Sequence, residues 1–116
     1  MSSSYPPING KVSLEITEMN LTYAKPVVLS SRNITIYRYF STTGSSLLRQ
    51  TYSATSGFMK LSEDSKTLTF SIFKSTCNQP GAIYYIKVDT DVVRIKDTGE
   101  PVIGIQENIW NITTGM

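Results

Sequence analysis

No histidine occurs among these 116 residues, and Cys77 is the lone cysteine. A Ser-His-Asp triad, a histidine general base, a His-ligated zinc and a Cys-His nucleophile are therefore excluded within this chain. Cys77 has no partner for an internal disulfide. With no adjoining histidine or clear cationic cluster, it reads as a small buried residue rather than a reactive thiol. Charge of one sign is also scarce: 11 Lys and Arg against 9 Asp and Glu leave +2, too little to point to nucleic acid or a polybasic membrane contact. No run approaches the roughly 20 apolar residues that span a bilayer. The start, Met1-Ser2-Ser3-Ser4-Tyr5-Pro6-Pro7, lacks the basic end and apolar stretch of a signal peptide. Gly44, Gly57, Gly81, Gly99, Gly104 and Gly115 are scattered singly, so no phosphate-cradling loop is present. Helical periodicity is nearly absent.

What is plentiful is uncharged polar surface. Fifteen Ser and 14 Thr make up a quarter of the chain, a bias common in exported β-domains. Three N-glycosylation sequons occur, at Asn20, Asn33 and Asn111, each followed two positions later by Thr. A Ser- and Thr-rich chain also produces such triplets by chance. The two ends look like linker, at residues 1–5 and 115–116. These features together suggest one domain, residues 6–114, belonging to a longer exported chain and found outside the cell or on its surface.

Short runs of period two recur at the spacing of an all-β sandwich. Val12, Leu14 and Ile16 alternate with Ser13, Glu15 and Thr17, which predicts a first strand with one buried face. Leu21 and Tyr23 continue toward a break at Lys25-Pro26. Strands are expected over 33–40, after which 41–46 turns, then more weakly over 47–53 and 58–61. The polar turn at 62–66 predicts a hairpin into Leu68, Phe70 and Ile72. Pro80-Gly81 precedes a run that is apolar on both faces, 82–89, and is therefore expected to be central. The stretch 90–106 is irregular, and the last strand covers 107–113. About seven or eight strands result, and an Ig-like antiparallel Greek-key β-sandwich accommodates them. The expected core is Leu14, Ile16, Leu21, Tyr23, Ile34, Ile36, Leu68, Phe70, Ile72, Tyr84, Ile86, Val88 and Trp110.

The order of punctuation carries a resemblance. Pro6-Pro7-Ile8-Asn9-Gly10, Leu21-Thr22-Tyr23 before Lys25-Pro26-Val27, Asn33-Ile34-Thr35-Ile36-Tyr37, Leu61 to Leu68, Pro80-Gly81 before Tyr84 to Asp89, Gly99-Glu100-Pro101 with Gly104, and Trp110 to Thr114 follow one another. This series resembles the bacterial-type Ig-like domains named for S-layer proteins, over nearly the whole chain. The resemblance implies a spacer or adhesive module with no catalytic set. Tyr23 stands where Phe is commoner in that family, and Cys77-Asn78 lengthens one turn.

Three constellations could carry more. Asp89, Asp91, Asp97 and Glu100 gather the carboxylates a hard cation such as calcium needs. Their spacing matches no EF-hand, and Lys87, Arg94 and Lys96 interleave, so a solvated loop is the default. Tyr37, Tyr39, Tyr52 and Tyr85 could form a glycan- or protein-binding face, or simply stabilise an outer sheet surface through cross-strand pairs. Lys11 and Asn111 could form an isopeptide bond if a buried carboxylate lay near, for which Glu15 is the one candidate in the first strand. The expectation is a non-enzymatic spacer, one of several tandem copies, monomeric when isolated. It would have no cofactor and take neighbouring domains as its partners. The alternative is a recognition module for glycan or protein.

Overall fold

The computed structural model describes residues 3–54, 57–73 and 76–115, without the side chains of Glu107 and Asn108. The described residues form eleven strands and no helix. In chain order these are β1 (Ser3–Tyr5), β2 (Gly10–Val12), β3 (Glu18–Thr22), β4 (Val27–Leu29), β5 (Asn33–Phe40), β6 (Ser45–Ser53), β7 (Met59–Leu61), β8 (Thr67–Ser71), β9 (Ile83–Val88), β10 (Val93–Ile95) and β11 (Ile105–Thr114). A four-stranded sheet, β1-β3-β8-β7, packs on a five-stranded sheet, β2-β11-β9-β5-β6, and a small β10-β4 ladder closes one end. The result is the expected all-β sandwich of Greek-key type. It has more and shorter strands than expected, and one parallel pair, β2 with β11.

The alternating residues explain the two layers. In β8, Leu68 and Phe70 are fully buried; in β9, Tyr84 and Ile86; in β11, Trp110 and Ile112. Phe70 meets Trp110 edge-on at 5.9 Å, joining one sheet to the other. The indole N–H of Trp110 donates to the Pro6 carbonyl at 2.8 Å, which pins the segment leading from β1 to β2. β9 lies in the middle of its sheet, between β11 and β5, as its two apolar faces require.

The start of the chain departs from expectation. Residues 3–5 are not linker but β1, paired with Leu21 and its neighbours. The alternation at 12–17 is not a strand either. Val12 ends β2 in the five-stranded sheet, Ile16 N–H closes a turn on the Ser13 carbonyl, and β3 starts at Glu18 in the other sheet. Residues 13–17 are therefore a crossover. Leu14 is only partly buried and leaves the core, Ile16 packs against its rim, and Met19 takes the expected inward role at 0% exposure. Residues 93–95, in the stretch expected to be irregular, pair with β4 as β10. At the other end, Gly115 is tied to the Val12 carbonyl rather than trailing as linker, while Met116 lies outside the described residues.

The registers fix the course of the chain. Call the end bearing β4 and β10 the upper one. Ser3 pairs with Thr22 there, whereas Val12 pairs with Thr114 at the lower end, near the β5–β6 turn. The molecule is 44 Å long against 25 and 24 Å across.

Candidate functional site

The outer surface of the five-stranded sheet holds the tyrosines. Two rungs cross it: Leu48, Tyr37, Tyr85 and Asn111 lie side by side, and below them Ser46, Tyr39, Ile83 and Thr113. After Ile36, which lies opposite Gln50, the register shifts so that Tyr37 lies opposite Leu48, and Arg49 is the extra residue of a bulge in β6. That extra residue keeps Thr51 and Leu48 on one face although they are three positions apart. Tyr37 stacks on Tyr85 with centroids 4.9 Å apart. Tyr85 is consequently buried, at 2% exposure, and its hydroxyl donates to Ser46 Oγ at 3.1 Å. The Tyr85 ring thus supports the face without offering itself to a ligand.

Beside this stack lies an open cleft of about 470 Å³ lined by Asn9, Tyr39, Ile83, Asn111 and Thr113. Asn9 arrives from the β1–β2 connection, where its φ is 61° and its N–H donates to the Asn111 carbonyl at 2.8 Å. Asparagine is one of the few residues that take this left-handed conformation readily. The cleft combines an aromatic ring and a branched aliphatic with amides and a hydroxyl. Such a lining suits a neutral, hydroxyl-rich ligand better than an ion.

The structure places the four tyrosines of the candidate face on two different sides of the sheet. Tyr37, Tyr39 and Tyr85 share one face, but Tyr52 does not. In β6 it points inward opposite Ile34, is 7% exposed and packs on Phe70 at 5.9 Å. Burial pushes its phenol far above the usual range, and Cys77 nearby adds to the effect. Asn9 and Thr113 were not signalled by the sequence, although the alternation of β9 already placed Ile83 beside Tyr85.

The four carboxylates Asp89, Asp91, Asp97 and Glu100 are not gathered into one cluster. Asp91 is bidentate to Arg94, with Nε to Oδ1 at 2.6 Å and Nη2 to Oδ2 at 2.9 Å. The Arg94 hydrogen bonds hold its carboxyl below the usual range. Asp89 Oδ2 accepts the Asn33 N–H at 3.2 Å. Asp97 and Glu100 sit in the loop after β10, where the Ile95 N–H donates to the Glu100 carbonyl at 2.9 Å. Among the described residues no three His, Cys, Asp or Glu converge. A second open cleft, at the upper end, mixes Arg32 and Lys87 with Asp89 and Asp91, so its charges largely offset each other.

The isopeptide expectation fails on burial. Lys11 and Glu15 are both exposed to water, whereas amide formation requires a lysine neutralised by desolvation beside a protonated carboxyl. The three sequons differ in setting. Asn20 lies within a ladder, between β1 and β8. Asn111 lines the tyrosine cleft. Asn33 is exposed at the start of β5.

No family model matches this sequence, and no curated protein matches it either. Among solved structures the fold is similar to that of CopC from Methylosinus trichosporium OB3b. The TM-score is 0.60 at 16% identity, covering 97% of this chain and 89% of that one. At that identity the likeness concerns the fold alone.

Proposed function

We propose that this chain is a non-enzymatic Ig-like spacer module of a secreted or cell-surface multidomain protein, related to the S-layer-type Ig-like domains and joined to neighbouring domains of the same chain. The observation that carries the reading is the direction of the outermost strands. β1 begins at the upper end with Ser3, and β11 finishes at the lower end with Thr114, so modules joined end to end extend rather than fold back. A sandwich without histidine and with its one thiol buried suits a part whose task is geometric. The Ser- and Thr-rich surface and the exposed sequon at Asn33 fit an exported chain.

Small-angle scattering on a tandem of two copies tests the geometry. A maximum dimension closer to twice the 44 Å long axis than to one such length supports the spacer. A compact, side-by-side pair contradicts it.

The cleft beside Tyr39 favours a second reading, a recognition module for glycan. Binding on a glycan array that Tyr39→Ala abolishes would support it. An array without hits would leave the cleft as surface relief of a spacer.

A further inference from the structure

The two main sheets have four outer edges, and three of them are guarded. β1, β2 and β7 are each three residues long. β2 and β7 carry Lys11 and Lys60, and β1 runs into Pro6-Pro7, which offers no N–H. β6 is nine residues long, and its first four, Ser45 to Leu48, are exposed. Leu47 and Leu48 show 47% and 53% of their surfaces. Further along, this edge is covered: Gln50 Oε1 accepts from the Phe73 N–H at 3.3 Å and from Thr76 Oγ1 at 2.6 Å, while Arg49 Nε donates to the Thr76 carbonyl at 3.2 Å. Beside Ser45–Leu48 no strand follows β6 among the described residues. From Ser41 to Leu48 the chain holds no charge and no proline, so the usual devices against edge pairing are missing from this stretch alone.

We propose that this edge pairs with the same edge of a second copy, so that two five-stranded sheets continue across a two-fold axis near Leu47. Charge selects the occupant. A neutral edge meets its twin without opposing like charges, whereas a charged peptide finds no complementary group along it. The pairing is antiparallel, because a two-fold axis perpendicular to the sheet reverses strand direction and makes the hydrogen-bond pattern reciprocal. Leu47 then meets Leu47 of the second copy on one face, and on the other face each Leu48 lies opposite the other copy's Ser46. Four residues of edge amount to less than the roughly 1,200 Å² of a standard interface, so the dimer is weak and reversible. The upper end of one copy lies beside the lower end of the other. If the spacer reading holds, that arrangement joins chains approaching from opposite directions; the dimer itself does not depend on that reading.

Sedimentation velocity on the full chain from about 10 μM to 1 mM tests this. A reversible monomer–dimer equilibrium is expected, and Leu47→Lys should raise its dissociation constant tenfold or more while leaving the circular dichroism spectrum unchanged. Hydrogen exchange on the unaltered chain should show amide protection rising with concentration at 45–48. A monomer throughout, a dimer unaffected by Leu47→Lys, protection rising elsewhere but not at 45–48, or open-ended growth beyond the dimer would each overturn the proposal.

Discussion

Trp110 performs two tasks with one side chain. Its ring fills the space between the sheets against Phe70, and its N–H satisfies the Pro6 carbonyl at 2.8 Å. Trp110→Ala should cost about 3–5 kcal/mol. Trp110→Phe keeps most of the packing but removes one of the two hydrogen bonds to the Pro6 carbonyl, leaving that from Ser4 Oγ at 3.0 Å, and should still cost about 0.5–1.5 kcal/mol. Urea unfolding measures both; a loss below about 1 kcal/mol for the alanine variant would show that the indole is not central to the core. Cys77 and Tyr23 give a second prediction. Burial pushes the Cys77 thiol up from 9.0 to about 12, with Arg49 opposing the shift, and lifts the Tyr23 phenol from 10.0 to about 12. The unfolded chain therefore releases these protons first. The stability that depends on them is complete below about pH 9 and drains away as the pH rises toward 12. The melting temperature should fall over that range, and Cys77→Ala should lessen the fall. An equal fall in both proteins would remove Cys77 from the explanation.

At the scale of elements, the long strands were legible and most of the short ones were not, β7 being expected, though weakly, over 58–61. β5, β8 and β9 announce themselves through Ile34-Ile36, Leu68-Phe70 and Tyr84-Ile86, because a strand of five or more residues repeats its period. A strand of three, such as β2 or β10, has no period to show. The misread segment 12–17 has a clear physical origin. Val12 and Ile16 do approach the core, but Val12 does so from β2 and Ile16 from the crossover that leads to the other sheet, and the alternation between them belongs to a turn. The tyrosine face was half legible: Tyr37, Tyr39 and Tyr85 follow from alternation. Tyr52 lies beyond the irregularity in β6, which no local signal marks. Gly104 shows how tightly the elements meet. A Cβ at this position would stand 1.8 Å from the Val88 carbonyl and 2.6 Å from the Asp89 carbonyl carbon. Gly104→Ala should therefore displace the start of β11 from β9 and cost about 3 kcal/mol or more. Thermal unfolding checks it, and an unchanged midpoint would mean that this approach relaxes without consequence.

At the scale of the molecule, Ser3 lies at one end of the sandwich and Gly115 at the other, the placement on which the proposed spacer role rests. The Trp110 bond to Pro6 aligns the two sheets, and from it three residues lead up to Ser3 and five lead down to Gly115. At about 3.3 Å per residue, those eight steps separate the two positions by roughly 26 Å along the strands. Spin labels at Ser3→Cys and Gly115→Cys, in a Cys77→Ala background, measure this separation directly by pulsed electron resonance. A distance distribution centred at about 26 Å or longer is predicted. A distribution centred below about 15 Å would place both termini at one end and contradict the spacer account.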